Sequence, residues 1–243
     1  MRIHFTMELK NESIPIDYRR KFISYLKFCI EESNPKFYQE LYGKGKNINK
    51  DFTMAAYFVP QTNFLKNSIV VKSKKVVLNL STPDAYLGVQ FYNALCSKKH
   101  TWYPFSKDNA IRLVEIHSER EKLITQRQAV FNTLSPIIIR DHDRDTGKDW
   151  FYTFEDEEAV SVLKRNLKGE LTGKFDRDIS QDIEQLEIEF LHMKKVVIKS
   201  YELKIPCSLG TFKMEGESYL LQYLYLRGVG GKRSLGFSYL ELL

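Results

Sequence analysis

Hydrophobic and polar side chains alternate over residues 2–9, which is the period of a half-buried β-strand. After Pro15, apolar side chains recur three or four residues apart, at Phe22, Ile23, Leu26 and Ile30. This spacing predicts a helix with one buried face. The residue before a proline disfavours helical backbone, so the helix should end at Ser33-Asn34-Pro35. The chain therefore opens with a strand and an amphipathic helix.

The rest of the first 120 residues continues with strands and one more helix. Residues 68–72 and 76–80 have the pattern of a hairpin, with a basic tip at 72–75. A strand is predicted before this hairpin at 52–59. A helix at 83–96 and a strand at 110–117 follow it. We assign the order β-α-β-β-α-β to this half.

The second half repeats the same order. Residues 131–140 predict a strand because Ile137-Ile138-Ile139 is strongly β-branched. A helix over 155–167 would carry acidic residues in its first turn, where they suit the helix dipole. A second, mostly apolar helix is predicted at 217–226. The remaining strands are predicted at 186–190, 196–203, 211–214 and 235–242.

Two copies of one β-α-β-β-α-β arrangement are typical of tandem ferredoxin-like, or RRM-like, domains in the α+β class. The boundary should lie between residues 118 and 128. We therefore expect an N-terminal ferredoxin-like domain over 1–122. The C-terminal ferredoxin-like domain, over 128–243, would include a glycine-rich loop.

The composition is that of a folded globular protein, with 43% hydrophobic and 28% charged residues among 243. No stretch has the roughly 18 apolar residues of a membrane helix, and the N-terminus has a strand pattern rather than a secretory signal. The three cysteines, Cys29, Cys96 and Cys207, are widely spaced, which argues against a disulfide framework or cysteine-based zinc site. We expect a cytoplasmic protein without a membrane partner.

The net charge of +6 is unevenly distributed. Residues 1–120 carry 19 Lys and Arg against 11 Asp and Glu, and residues 190–243 carry 8 against 4. Residues 141–189 carry 7 against 15. The two basic parts could form one positive surface, which is a footprint for nucleic acid.

A glycine-rich segment covers residues 227–237. Its glycines free the backbone to approach a ligand, and its N–H groups and cations could bind phosphate. It is not a phosphate-binding P-loop, because Lys232 is followed by Arg233 and the segment follows a helix. The alternative is a tight helix-to-strand connection. The candidate ligand-binding residues are Gly228, Gly230, Gly231, Lys232, Arg233 and Ser234.

A second basic segment covers residues 42–50, where Lys44, Lys46 and Lys50 could hold a phosphate. The alternative for this segment is a solvated loop. The five histidines lack metal-ligand spacing, and the chain has no H-E-x-x-H motif, so we expect no metal site.

Taken together, these residues resemble a known family. The segments that carry the resemblance are 33–36, 52–53, 133–137, 210–216 and 220–237. The last of these is similar to a glycine-rich loop and closing strand found in the CRISPR-associated endoribonucleases that process precursor CRISPR RNA. That family lies within the repeat-associated mysterious protein (RAMP) superfamily.

The resemblance implies metal-independent cutting of CRISPR repeat RNA without a cofactor. The ribose 2′-OH upstream of the cut attacks the phosphate and leaves 2′,3′-cyclic phosphate and 5′-OH ends. Many members use a tyrosine on the first helix, a histidine in the following loop and a lysine before the next strand. Here the histidine position falls at Tyr42 and the lysine position at Lys50. The helix position falls near Lys27, with Tyr25 close by.

Lys27, Tyr42 and Lys50 are therefore the candidate catalytic residues. Arg19, Arg20, Lys44 and Lys46 join the glycine-rich loop as candidate RNA contacts. No histidine lies between residues 5 and 99, which leaves two other functions open. The chain could bind repeat RNA without cutting it, or it could be a structural subunit of an RNA-guided interference complex. Candidate partners are repeat RNA within precursor crRNA, other interference-complex proteins and a second copy of the chain.

Overall fold

The structure, a computed structural model, describes residues 1–43, 49–143, 145–200 and 203–243. The chain divides into two units, each with its own hydrophobic core. Unit 1 comprises Met1–Glu121 with Ser234–Gly236, and unit 2 comprises Lys122–Arg233 with Phe237–Leu243. In the part of the chain described, no helix has the length and apolar character needed to cross a membrane.

Unit 1 contains eight strands and three helices among its described residues. They are β1 (Arg2–Leu9), β2 (Ser13–Pro15), α1 (Tyr18–Ser33), α2 (Pro35–Tyr42), β3 (Thr53–Phe58), β4 (Thr62–Phe64), β5 (Ser68–Val71), β6 (Lys75–Ser81), α3 (Ala85–Ser97), β7 (Tyr103–Ser106) and β8 (Asn109–Glu119).

The main sheet of unit 1 has the order β3-β6-β1-β8-β7, and all neighbouring strands are antiparallel. Without the edge strand β7, this is the strand order of a βαββαβ ferredoxin-like domain. Helices α1 and α3 contact each other and share one core with alternate side chains of β1. Those β1 side chains are Ile3, Phe5, Met7 and Leu9.

Asn34 separates two helices, of which only the first was predicted from the sequence. Helix α1 ends at Ser33, as predicted. The Asn34 side chain then accepts a hydrogen bond from the Phe37 N–H at 3.1 Å, and Pro35 occupies the first position of α2. Asparagine is a favoured N-cap and proline a favoured first helical residue, so the same motif also begins a helix. Helix α2 carries Tyr42 at its last position.

The predicted hairpin between residues 68–72 and 76–80 is wrong. Strand β5 pairs with β2 and β4 in a separate three-stranded sheet. Strand β6 pairs with β1 on one side and β3 on the other, so neither edge of β6 is left for β5. The chain turns between the two sheets at Lys74, whose φ is +52°.

Unit 2 contains six strands and three α-helices among its described residues. They are β9 (Gln128–Thr133), β10 (Ile139–His142), β11 (Asp149–Tyr152), α4 (Ala159–Leu171), α5 (Ser180–Glu184), β12 (Glu187–Ser200), β13 (Leu203–Glu215), α6 (Ser218–Arg227) and β14 (Leu240–Leu242).

The main sheet of unit 2 has the order β12-β13-β9-β14, again with antiparallel neighbours. This is the same ferredoxin-like order as in unit 1, with β10 and β11 added as a hairpin before α4.

Strand β12 is continuous across 187–200, where two separate strands were expected. It contains a β-bulge between Phe190 and His192.

Three further boundaries in unit 2 differ from the sequence expectation. The strand predicted over 131–140 is split into β9 and β10. Helix α4 begins at Ala159, so the acidic residues precede the helix instead of filling its first turn. The closing strand is only Leu240–Leu242, because Arg233–Leu235 forms a short 3-10 turn before it.

Candidate functional site

The three candidate catalytic residues come together in unit 1. The Lys27 ammonium on α1 lies 4.6 Å from the centre of the Tyr42 ring, and the Lys50 ammonium lies 5.1 Å from it. Tyr42 ends α2, and Lys50 stands just before β3. Helix α2, which starts at the Asn34 cap, therefore places an aromatic ring next to two lysines from different segments.

The phenol of Tyr42 is unsuited to removing a proton. Its hydroxyl oxygen is buried, and no hydrogen-bond partner for it exists among the residues that the structure describes. Burial raises the pKa of Tyr42 well above its ordinary value. The hydroxyl is thus held protonated at neutral pH. The ring is the useful part of Tyr42, because an aromatic face attracts cations.

The charges of Lys27 and Lys50 act on each other. Burial lowers the pKa of Lys50, and the nearby positive charge of Lys27 lowers it further. Two cations held against one ring repel each other, and an anion placed between them would relieve that repulsion. The site therefore favours a negatively charged ligand, and Lys50 gives up a proton more readily than an ordinary lysine.

Tyr25, which lies near the family's tyrosine position, belongs to the core. Its side chain is 1% exposed, and its ring packs edge-on against Tyr103 with 5.3 Å between centroids. Burial raises the pKa of Tyr25 as well. In this conformation Tyr25 supports the packing of α1 and is not available to a ligand.

Two glycines of the glycine-rich loop are required by close packing. Gly228 has φ +80°, and a Cβ there would lie 2.2 Å from the Ser238 carbonyl oxygen. Gly230 has φ +82°, and its Cβ would lie 2.4 Å from the Ile138 carbonyl oxygen. Both contacts exclude a side chain. These glycines thus shape the loop itself.

The loop packs on β10 and brings Lys232 beside Arg140. The Gly231 N–H donates to the Ile138 carbonyl oxygen at 2.8 Å, and a Cβ on Gly231 would lie 3.7 Å from the Arg140 Cβ. Burial and the Arg140 charge lower the pKa of Lys232. Sequence analysis missed Arg140, since only the folded loop places it near Lys232.

Arg140 is itself partly neutralised by Asp149, which His142 also contacts. Its Nη2 atom lies 2.6 Å from Asp149 Oδ1, and the His142 Nδ1 atom lies 2.7 Å from the same oxygen. The single negative charge of Asp149 is shared between Arg140, His142 and Lys232. Lys232 and Arg140 therefore retain a net positive charge. This second cationic pair, like the first, suits an anion.

The structure places Arg233 inside unit 2 and not at its surface. The side chain is 3% exposed, and its Nη1 atom donates to Glu170 Oε2 at 2.8 Å and to the Gly230 carbonyl oxygen. Arg227, which sequence analysis did not single out, is 0% exposed and donates to the same Glu170 oxygen. In this conformation Arg233 holds the loop, so its predicted contact with RNA would require the loop to change.

The other predicted RNA contacts are dispersed. Arg19 is half-buried, with its guanidinium 4.8 Å from the centre of the Tyr18 ring and its Nε donating to the Gly236 carbonyl oxygen at 3.2 Å. Arg20 is exposed and lies 3.6 Å from Asp17. Ser234 is half-buried and belongs to unit 1. Lys44 and Lys46 lie outside the described residues.

Comparison with solved structures shows the class of fold. A Cas6-related protein from Pyrococcus furiosus superposes with a TM-score of 0.85 at 19% identity, covering 100% of this chain and 98% of that one. A RAMP protein described as binding different RNA substrates gives 0.84 at 20% identity, covering 100% and 99%. The predicted α+β fold of tandem ferredoxin-like domains is confirmed.

Comparison of sequences identifies the family. The family model described as CRISPR associated protein Cas6, C-terminal, matches residues 118–242, which is half of the chain. The CRISPR-associated endoribonuclease Cas6 1 of Methanocaldococcus jannaschii is 24% identical over 244 residues, covering 98% of this chain and 91% of that protein. The chain belongs to the Cas6 family, and the resemblance noted in its sequence is confirmed.

Proposed function

We propose that this protein is an endoribonuclease that cuts CRISPR repeat RNA within precursor crRNA. The convergence of Lys27 and Lys50 on the Tyr42 ring is the observation that carries the proposal. A pair of repelling cations is a site for the scissile phosphate. Family membership and the Methanocaldococcus jannaschii relative, named as an endoribonuclease, support RNA cleavage as the reaction.

The proposed step is an attack of the ribose 2′-OH on the adjacent phosphorus. The 2′-O–P bond forms and the P–O5′ bond breaks, which leaves a 2′,3′-cyclic phosphate and a 5′-OH. Negative charge grows on the phosphoryl oxygens in the transition state, where the two ammonium groups stabilise it. Water accepts the 2′-OH proton, and Lys50 donates one to the leaving 5′ oxygen because its lowered pKa makes it a stronger acid.

A second candidate function is repeat-RNA binding without cleavage. The observation that favours it is the burial of the Tyr42 hydroxyl, which cannot serve as a base at neutral pH. Tyr42 stands where the resemblance places the family's loop histidine. The cationic pair would still bind a phosphate. The two functions differ in the fate of the RNA and not in its affinity.

The proposal is tested with labelled repeat RNA from the same source, incubated with the protein and EDTA. We expect one cut within the repeat and a product that carries a 2′,3′-cyclic phosphate. A scrambled RNA of equal length is the control and should stay intact. Tight repeat binding with no product after long incubation would instead support the binding function, and Tyr42→His would then be the variant to test for restored cutting.

Lys232 and Arg140 form a second phosphate-binding position in this proposal. Replacing Lys232 with alanine should weaken repeat-RNA binding by about 3- to 10-fold and lower the slope of log Kd against log salt by about 0.7–1. Arg140→Ala should have a similar effect because the two cations share one position. The measurement is fluorescence anisotropy across a salt series. Lys107→Ala, an exposed lysine of unit 1, is the control, and equal slopes for all variants would contradict the assignment.

A further inference from the structure

One carboxylate binds two arginines of the glycine-rich loop. Glu170 projects from α4, and its Oε2 atom accepts hydrogen bonds from Arg227, at the end of α6, and from Arg233, further along the loop. The side chains of Arg227 and Arg233 are 0% and 3% exposed, whereas that of Glu170 is 28% exposed. A half-buried acid thus reaches two guanidinium groups in the interior of unit 2.

The same cluster is tied to the middle of the loop. The Arg233 Nη1 atom that binds Glu170 also donates to the Gly230 carbonyl oxygen. Within the loop, Gly230 is one of the two glycines described above as having no room for a side chain, and the next residue, Gly231, donates to Ile138. The path from Glu170 through Arg233 therefore leads directly to the segment that carries Lys232.

The charges make this arrangement dependent on Glu170. Two buried guanidinium groups repel each other, and removing the carboxylate that binds both takes away a negative charge that stabilises them, which is costly in a buried ion cluster. The segment from Arg227 to Arg233 would then rearrange and bring Arg233 toward water. Lys232 would lose its fixed place beside Arg140.

We propose that Glu170 is a positioning residue that fixes the glycine-rich loop for RNA binding through Arg227 and Arg233. The inference rests on the proposed function for the RNA readout, but the effect on the loop is independent of RNA. In this role Glu170 acts on the ligand through the segment it holds.

The test uses Glu170→Gln in the full chain. This change keeps the size of the side chain and removes its charge. We expect faster hydrogen exchange at the Gly231 amide, measured by mass spectrometry on peptides spanning residues 227–235, and weaker repeat-RNA binding by about tenfold. Glu170→Asp retains the charge on a shorter side chain and should fall between the wild type and Glu170→Gln in both measurements.

Leu163→Ala provides the matched control. Leu163 lies on the same helix, two turns before Glu170, and its side chain is 1% exposed in the core of unit 2. This variant should lower the Tm without loosening the loop relative to the rest of unit 2, and it should leave repeat-RNA affinity close to that of the wild type. If both variants weaken RNA binding in proportion to their loss of Tm, Glu170 has only a general structural role and the inference is wrong.

The loop measurement separates this inference from the proposed function. If the wild type binds no repeat RNA, the proposed function fails, but Glu170→Gln should still accelerate exchange at Gly231. If the wild type binds repeat RNA and Glu170→Gln leaves the exchange of 227–235 unchanged, the positioning role is overturned while the proposed function stands.

Discussion

A repeat RNA with a single 2′-deoxyribose immediately upstream of the cut should be bound and not cut. The 2′ oxygen is the nucleophile of the proposed step, so its removal leaves no atom to form the cyclic phosphate. Binding depends mainly on the phosphates, which the substitution leaves in place, so Kd should change less than about twofold. The measurement compares single-turnover cleavage and anisotropy for the two RNAs, and the product from the deoxy RNA should be undetectable.

A deoxyribose one nucleotide further upstream is the control for this experiment. That RNA should be cut at nearly the wild-type rate, because its nucleophile is intact. Cleavage of the first deoxy RNA would contradict the mechanism, since another nucleophile such as water would then be attacking the phosphate. Loss of cutting with both RNAs would point to a general requirement for ribose geometry instead of a nucleophilic 2′-OH.

Lys50→Ala should lower the single-turnover rate of repeat cleavage by about 100- to 1000-fold, the usual loss when one charged stabiliser of a transition state is removed. Affinity should fall much less, because a phosphate contact contributes to ground-state binding alongside many others. Lys107→Ala is the matched control and should leave the rate unchanged. A Lys50→Ala variant that cuts at the wild-type rate would remove Lys50 from the reaction.

The pH dependence gives a sharper test of the lysine pair. The charge of Lys27 contributes to lowering the pKa of Lys50, so Lys27→Met should raise that pKa. Lys50 acts as the ammonium ion, and the rate should therefore decline as the pH rises through its pKa. In Lys27→Met the residual activity should persist to higher pH than in the wild type. An alkaline limb at the same pH in both proteins would show that another group controls it.

Local spacing predicted much of the fold. The alternation over β1 and the helical period of α1 are properties of short segments, and both elements lie where the sequence placed them. The pairing of β5 depends instead on the neighbours of β6, which are β1 and β3. A short segment contains no information about which strands from elsewhere in the chain are those neighbours. The second role of Asn34, as the cap of α2, was present in the sequence as an Asn-Pro pair and was missed.

The sequence by itself determined the types of side chain at the candidate site and the family to which they belong. The family resemblance pointed to Lys27, Tyr42 and Lys50, and the fold brings them together. Only the tertiary structure decided that Arg233 is buried against Glu170, 63 residues away, and that Lys232 adjoins Arg140. Tertiary contacts between distant segments decide which side chains are buried and which charges are paired. The free energy of a buried ion depends on those contacts and not on the local sequence.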